Sequence, residues 1–240
     1  MDNALHYLAL NRQVGLKHEM DIIANNLANL DTTGFRREGV SFTEFVLSAA
    51  NEESVSMADT GARYILDRSG ELTETNAAFD LAIEGAGYFM VQAPEGTILT
   101  RAGRFQISQD GILTTPNGMP VLDTGGAQIP IAIDAKDIEI SDDGTLSAST
   151  GPIAQIGVVE VDAVSLRRYG DTAFSLGDAA FTAVADPKVR QGALESSNVD
   201  PVLEIARMIE VTRAYEMAQS VIQDEDERVR ETIRTLSENV

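Results

Sequence analysis

The chain has 240 residues, of which 43% are hydrophobic and 23% charged, apolar content enough for a buried core. Acids outnumber bases throughout, by 12 to 6 over residues 1–79, 15 to 7 over 80–190 and 11 to 5 over 191–240, and the net charge of −20 argues against nucleic acid or an anionic membrane as partner. The absence of cysteine excludes disulfides, thiolate catalysis and most zinc sites, and with no tryptophan there is little to stack on single-stranded bases.

The first predicted element is a helix from about Asn3 to Leu30. Leu5, Ala9, Leu16, Met20, Ile23, Leu27 and Leu30 recur at three- and four-residue steps, with Arg12 the one interruption. Asn25 and Asn29 project opposite that stripe, with Ile22 nearby, and Asn26 shares the same last turns. An asparagine amide competes for backbone groups, so three of them at a helix end are costly unless something pairs with them. Either they face water, or the helix packs on two sides and its carboxamides fix register against a partner. Asp31-Thr32-Thr33-Gly34 stops the helix: short polar side chains favour turns, and glycine tolerates positive φ. Asp2 and the lack of a basic run before an apolar one speak against a cleaved secretory signal.

From Phe35 to Thr75 the pattern is poor. Phe42, Phe45, Val46 and Leu47 form one apolar group, Asn51–Gly61 reads as loop, and the whole is expected to be an extended connector. From Phe79 to about Val189 short β-branched or aromatic runs appear: Tyr88–Val91, Thr97–Leu99, Phe105–Ile107, Ile129–Ile131, Ile138–Ile140 and Ile156–Val159. Turn signals separate them at Asp110-Gly111, Asn117-Gly118, Asp143-Gly144 and Gly151-Pro152, which predicts an all-β module. Helical patterning returns after Asn198. Asp200 is placed to cap, Pro201 to occupy the first helical position, and Ile205, Met208, Thr212, Tyr215, Ile222, Val229, Ile233 and Leu236 mark a heptad-like seam. Gln219 and Asp226 interrupt it, and the acidic run Asp224–Glu227 is partly offset by Arg228 and Arg230. No segment approaches the ~18 apolar residues of a membrane span.

No catalytic, metal or cofactor constellation emerges. His6 and His18 lie about three helical turns apart and cannot converge on one ion. Gly85-Ala86-Gly87 begins like a dinucleotide fingerprint, but Met90 stands at its sixth position within a predicted strand, so a turn is expected. Asp142-Asp143-Gly144 lacks the spacing of a calcium loop and reads as a hairpin turn. Neither a nucleophile elbow nor a P-loop is present, and no carboxylate pair is singled out for acid–base work.

Four blocks resemble one known family. Asn25-Asn26-Leu27-Ala28-Asn29 with Thr32-Thr33-Gly34-Phe35 is similar to the signature of bacterial flagellar rod and hook proteins. Leu81-Ala82-Ile83-Glu84-Gly85-Ala86-Gly87-Tyr88-Phe89 resembles the family's central block, as does Thr100-Arg101-Ala102-Gly103-Arg104-Phe105 continuing to Asp110-Gly111-Ile112-Leu113. Gln191–Val199, leading into Ile209 and Arg213-Ala214-Tyr215-Glu216, resembles its C-terminal block. Asp31 and Arg36 stand where relatives more often carry a small polar residue and lysine. The short chain, Met1-Asp2-Asn3 and Asp200-Pro201-Val202 look more like a proximal-rod member than a distal-rod one.

The resemblance implies an α+β protein, mainly β with helical termini. Residues 1–35 form an N-terminal axial helix and turn, 36–75 a connector, 76–190 a central β domain and 191–240 a C-terminal axial helix. The two terminal helices pair as a coiled-coil-like layer. It implies a structural subunit of the periplasmic rod of the basal body, exported by the flagellar type III apparatus without a cleaved signal. Its partners would be proximal- and distal-rod proteins and copies of itself, with no nucleic acid, no membrane insertion, no cofactor and no catalysis. The expected subunit interface comprises Leu16, Met20, Ile22, Ile23, Asn25, Asn26, Leu27, Asn29, Leu30, Gly34 and Phe35, with Ile205, Met208, Ile209, Thr212, Arg213, Tyr215, Ile222, Val229, Ile233 and Leu236. Replacing Asn25 and Asn29 with alanine should raise helix propensity while impairing assembly. Two alternatives stay open for the termini: order gained on assembly, or an antiparallel hairpin already complete in the monomer. A different class, a dimeric all-β binding module, predicts a discrete oligomer instead of an open-ended one.

Overall fold

A 27-residue helix, α1 (Asp2–Ala28), opens the chain and a 38-residue helix, α2 (Pro201–Glu238), closes it. Between them lie nineteen short strands among the described residues. The first five are β1 (Glu38–Val40), β2 (Thr43–Leu47), β3 (Val55–Asp59), β4 (Arg63–Ile65) and β5 (Leu72–Glu74). Next come β6 (Leu81–Ile83), β7 (Tyr88–Ala93), β8 (Gly96–Thr100), β9 (Gln106–Ile107), β10 (Leu113–Thr114), β11 (Glu139–Ile140) and β12 (Thr145–Ala148). The last are β13 (Gly151–Gln155), β14 (Val158–Glu160), β15 (Arg167–Tyr169), β16 (Ala173–Ser175), β17 (Thr182–Ala183), β18 (Val189–Gln191) and β19 (Ala193–Glu195). The computed structural model describes residues 2–41, 43–47, 55–59, 63–132, 135, 137–177 and 179–238. The fold is therefore mainly β with a helix at each end, as the sequence predicts.

The chain divides into two units. The helical unit holds residues 1–28, 38–64 and 200–240, and the β unit holds residues 29–37 and 65–199.

In the helical unit α1 lies against α2, β1 and β3. Each helix starts or stops for a local reason. The Asp200 carboxylate accepts from the amides of Val202 (2.9 Å) and Leu203 (3.1 Å), while Pro201 at the first position has no N–H to satisfy. α1 ends at Ala28, two residues before the expected Leu30. β2 and β3 form an antiparallel hairpin with Thr43 opposite Asp59 and Leu47 opposite Val55. Part of the expected Asn51–Gly61 loop is thus strand, since Val55–Asp59 pairs residue for residue with Thr43–Leu47. Phe42 and the rest of that loop lie outside the described residues.

In the β unit the largest sheet has the order β15-β16-β8-β7-β14-β17 and is antiparallel throughout. Both faces are covered, so its strands do not alternate between apolar and polar. Phe89 and Val158 point into a cluster with Leu81, Phe105, Leu113 and Ile129, while Tyr88, Met90 and Val159 point into another with Leu99, Leu166 and Phe174. Edge-to-face pairs Phe89–Phe105 (5.2 Å) and Tyr88–Phe174 (5.8 Å) sit one in each cluster. The Asp143-Gly144 turn joins β11 to β12, and the Thr145 amide and hydroxyl hold the Asp143 carboxyl below its ordinary range. The Gly85-Ala86-Gly87 segment is the turn between β6 and β7, with positive φ at both glycines. Two ladders close the unit through distant segments: β6 with β18 and β5 with β19.

Candidate functional site

Two buried polar clusters tie the signature blocks together, one in each unit. In the helical unit Asn26 is fully buried. Its carboxamide oxygen accepts from the Glu38 amide at 3.0 Å, and its nitrogen donates to the Glu38 carbonyl at 2.9 Å and to Glu204 Oε2 at 3.1 Å. One side chain thus pairs with a β1 backbone as another strand would, and also holds the first turn of α2. Glu204 is itself buried. Further along, Arg207 Nε donates to Glu19 Oε1 at 2.7 Å. Together these bonds set α1 and α2 antiparallel, since moving back along α1 moves forward along α2. Asn26 answers the cost of asparagine in a helix: each buried amide group has a partner. His18, also on α1, accepts from Arg63 Nε of β4 at 3.3 Å.

In the β unit the segment after α1 turns sharply. The Asn29 carboxamide oxygen accepts from the Thr32 hydroxyl at 3.0 Å. Gly34 adopts φ +68°, and a Cβ there would sit 2.3 Å from the Ala102 nitrogen and the Arg101 carbonyl carbon. Only glycine fits that approach. Its amide donates to the Glu195 carbonyl at 2.7 Å. Phe35 is fully buried, with the Arg168 guanidinium 4.5 Å over its ring, and Arg168 also donates to the Arg36 carbonyl at 2.6 Å. Asn198 braces the turn by accepting from the Arg37 amide (2.6 Å) and donating to the carbonyls of Leu66 (2.9 Å) and Arg68 (2.7 Å).

At the centre lies an ion cluster. The buried carboxylate of Glu195 accepts from Arg36 Nη1 and from the Gly70 amide (2.8 Å) on one oxygen, and from Arg101 Nη1 (3.1 Å) on the other. Arg101 also donates to the carbonyls of Ile83 (3.2 Å) and Gly85 (2.5 Å) and lies 5.3 Å over the Tyr88 ring. The Tyr88 hydroxyl donates to Asp67 at 2.7 Å. Burial, reinforced by Asp67, raises the Tyr88 pKa, and burial lowers that of Arg101 although Glu195 opposes it. Arg36 Nε and Nη2 and Arg101 Nε are buried without a hydrogen-bond partner. Two guanidiniums around one carboxylate form a structural joint. No group of histidine, aspartate and glutamate placed to hold a metal occurs among the described residues.

The residues expected at a subunit interface fall into separate environments. Ile22, Ile23, Asn26, Asn29, Gly34 and Phe35 are buried, Leu16, Met20, Leu27 and Leu30 half-buried, and Asn25 exposed. On α2, Met208, Thr212, Tyr215 and Ile222 are half-buried, whereas Ile205, Ile209, Arg213 and Val229 are exposed. The side chains of Ile233 and Leu236 lie outside the described residues. The expected seam omits Gly15, Glu204, Val211 and Ala218, which are buried; a glycine and a glutamate held by a hydrogen bond carry no hydropathy signal for burial. Glu204, Val211 and Ala218 follow one another at seven-residue steps. The opposite side of α2 carries an exposed apolar line, Val202, Ile205 (48% exposed) and Ile209 (49%), flanked by Leu203, Met217 and Val221.

Comparison with known proteins matches three segments of the chain. A family model described as "Flagella basal body rod protein" matches residues 8–36, the "Flagellar hook protein FlgE/F/G D1 domain" matches 82–148, and the "Flagellar basal body rod FlgEFG protein C-terminal" matches 190–235. Arg36, Arg101 and Glu195 fall one in each matched segment. The chain is 40% identical to the flagellar basal-body rod protein FlgF of Caulobacter vibrioides, over 98% of each chain. It is 37% identical to FlgF of Mesorhizobium japonicum, over 96% of each, and 35% identical to FlgG of Agrobacterium fabrum, over 87% of this chain and 90% of that one. Matched almost end to end by these relatives, the chain belongs to the flagellar basal-body rod protein family, as a FlgF-like structural subunit of the rod.

Proposed function

We propose that the chain is a proximal-rod subunit that stacks helically with copies of itself and with other rod proteins, including distal-rod proteins. Its terminal helices would line the inner tube of a hollow shaft that carries torque and passes exported subunits. The carrying observation is the two-sided character of α2. Its buried line of Glu204, Val211 and Ala218 is used within the chain, while Ile205 and Ile209 on the other side remain half exposed. An apolar line of that length on a helix is the kind of surface that a neighbouring subunit covers. The in-chain bonds of Asn26 favour an antiparallel helix pair already formed before assembly, with the outer line left for neighbours.

The remaining expectations go with this reading. Export would run through the flagellar type III apparatus without a cleaved signal and end in the periplasm, and the protein would need neither cofactor nor catalysis. No helix among the described residues is long and apolar enough to cross a membrane. Photocrosslinkers at positions 205 and 209 test the interface in intact basal bodies. Adducts with rod subunits are expected from both; adducts confined to positions on the β-unit surface would sink the assignment of α2 to subunit contact.

A further inference from the structure

The Arg36–Glu195–Arg101 cluster joins segments very far apart in sequence. Arg36 and Glu195 are separated by 159 residues, Gly70 and Glu195 by 125, and Arg101 and Glu195 by 94. The ladders that deliver Glu195 are equally non-local: β19 pairs Glu195 with Leu72, and β18 pairs Val189 with Ile83. Much of the remaining β unit is built from local pairs, namely β7–β8, β9–β10, β11–β12–β13 and β15–β16. Local hairpins close small loops and form early, whereas non-local pairs must overcome a larger loop-closure entropy.

Electrostatics sharpens that ordering. Without Glu195, drying the site would bury two guanidiniums against no counter-charge except the half-exposed Asp67, 3.8 Å from Arg36. The penalty for such uncompensated charge is severe, so water must stay until the carboxylate arrives. Even when closed, three guanidinium nitrogens have no hydrogen-bond partner, which marks the cluster as poor at adding net stability.

We infer that the Arg36–Glu195–Arg101 cluster is a folding-order latch, which keeps the β unit open around Gly70, Ile83 and Arg101 until the C-terminal segment 189–199 has docked. The latch does not depend on the proposed export route. If the chain is threaded N-terminus first, as that reading has it, premature closure of the β unit is blocked until nearly the whole chain has emerged. That consequence alone rests on the export reading.

Pulsed hydrogen exchange during refolding of the full chain, read by mass spectrometry, tests the order directly. Peptides from 88–100 should gain protection at least tenfold faster than those from 65–75 and 189–199. In Glu195→Gln the unfolding rate should rise a hundredfold or more, while protection of 88–100 is gained within twofold of the wild-type rate. Glu195→Asp keeps the charge and should show the same order with a smaller rise in unfolding, and it serves if the glutamine variant does not fold. Simultaneous protection of all three regions, or a slowing of 88–100 in step with the loss of stability, would place the cluster in the folding nucleus and overturn the inference.

Discussion

The helical unit and the β unit each bury polar groups at a junction, but by different physics. Around Asn26 the bonded groups are the Glu38 backbone amide and carbonyl and the Glu204 carboxylate, and the carboxamide is satisfied by three bonds to β1 and α2. Around Glu195 two guanidiniums and the Gly70 amide converge on one carboxylate, and three guanidinium nitrogens have no hydrogen-bond partner. A neutral amide fixes register at modest desolvation cost. An ion cluster costs much more to bury and is all-or-none, because removing one member strands the others. The first suits a helix pair that must hold one alignment, the second a β unit that must close only when complete.

Breaking the two clusters should therefore have unequal effects. Glu195→Gln should destabilise the β unit by about 3–5 kcal/mol, read as a drop in the denaturant midpoint, because two guanidiniums lose their counter-charge. A loss below about 1 kcal/mol would mean that water already compensates the cluster. Gly34→Ala should cost the same unit about 2–3 kcal/mol through its positive φ and the backbone contact a Cβ would force. Asn26→Ala should lower the stability of the helical unit by about 2 kcal/mol, monitored by circular dichroism at helical wavelengths, since the Glu38 amide and carbonyl lose their partner. Asp200→Ala should cost about 1 kcal/mol through loss of the α2 cap. If Asn26→Ala proved milder than Asp200→Ala, the carboxamide would be a bystander to the helix pairing.

Much of this architecture is legible in the residues. The start of α2 follows from Asp200-Pro201, the sharp turn after α1 from Gly34, several hairpin turns from Asp-Gly and Asn-Gly pairs, and the family from four ordered blocks. The three asparagines also stand out, but propensity cannot say which is buried. Asn26 is tied to Glu38 and Glu204, Asn29 bonds Thr32, and Asn25 is exposed, although all three occur within five residues. The seams are displaced for a similar reason. The expected seam runs through Ile205 and Thr212, whereas Glu204 and Val211, one position earlier, are the buried residues, with the Glu204 carboxylate held by Asn26. The ion cluster leaves still less trace, since Arg36, Arg101 and Glu195 resemble ordinary surface charges until distant segments meet.

The two sides of α2 give the sharpest test. The double variant Ile205→Ser/Ile209→Ser should leave the free chain's helix content and melting almost unchanged, within about 0.5 kcal/mol for exposed positions. Recovery of the variant in purified basal bodies is the deciding measurement. Strong depletion from the rod, with a normally folded subunit in the cell, is the expected result. Incorporation at the wild-type level would contradict the assignment of this face to neighbouring subunits.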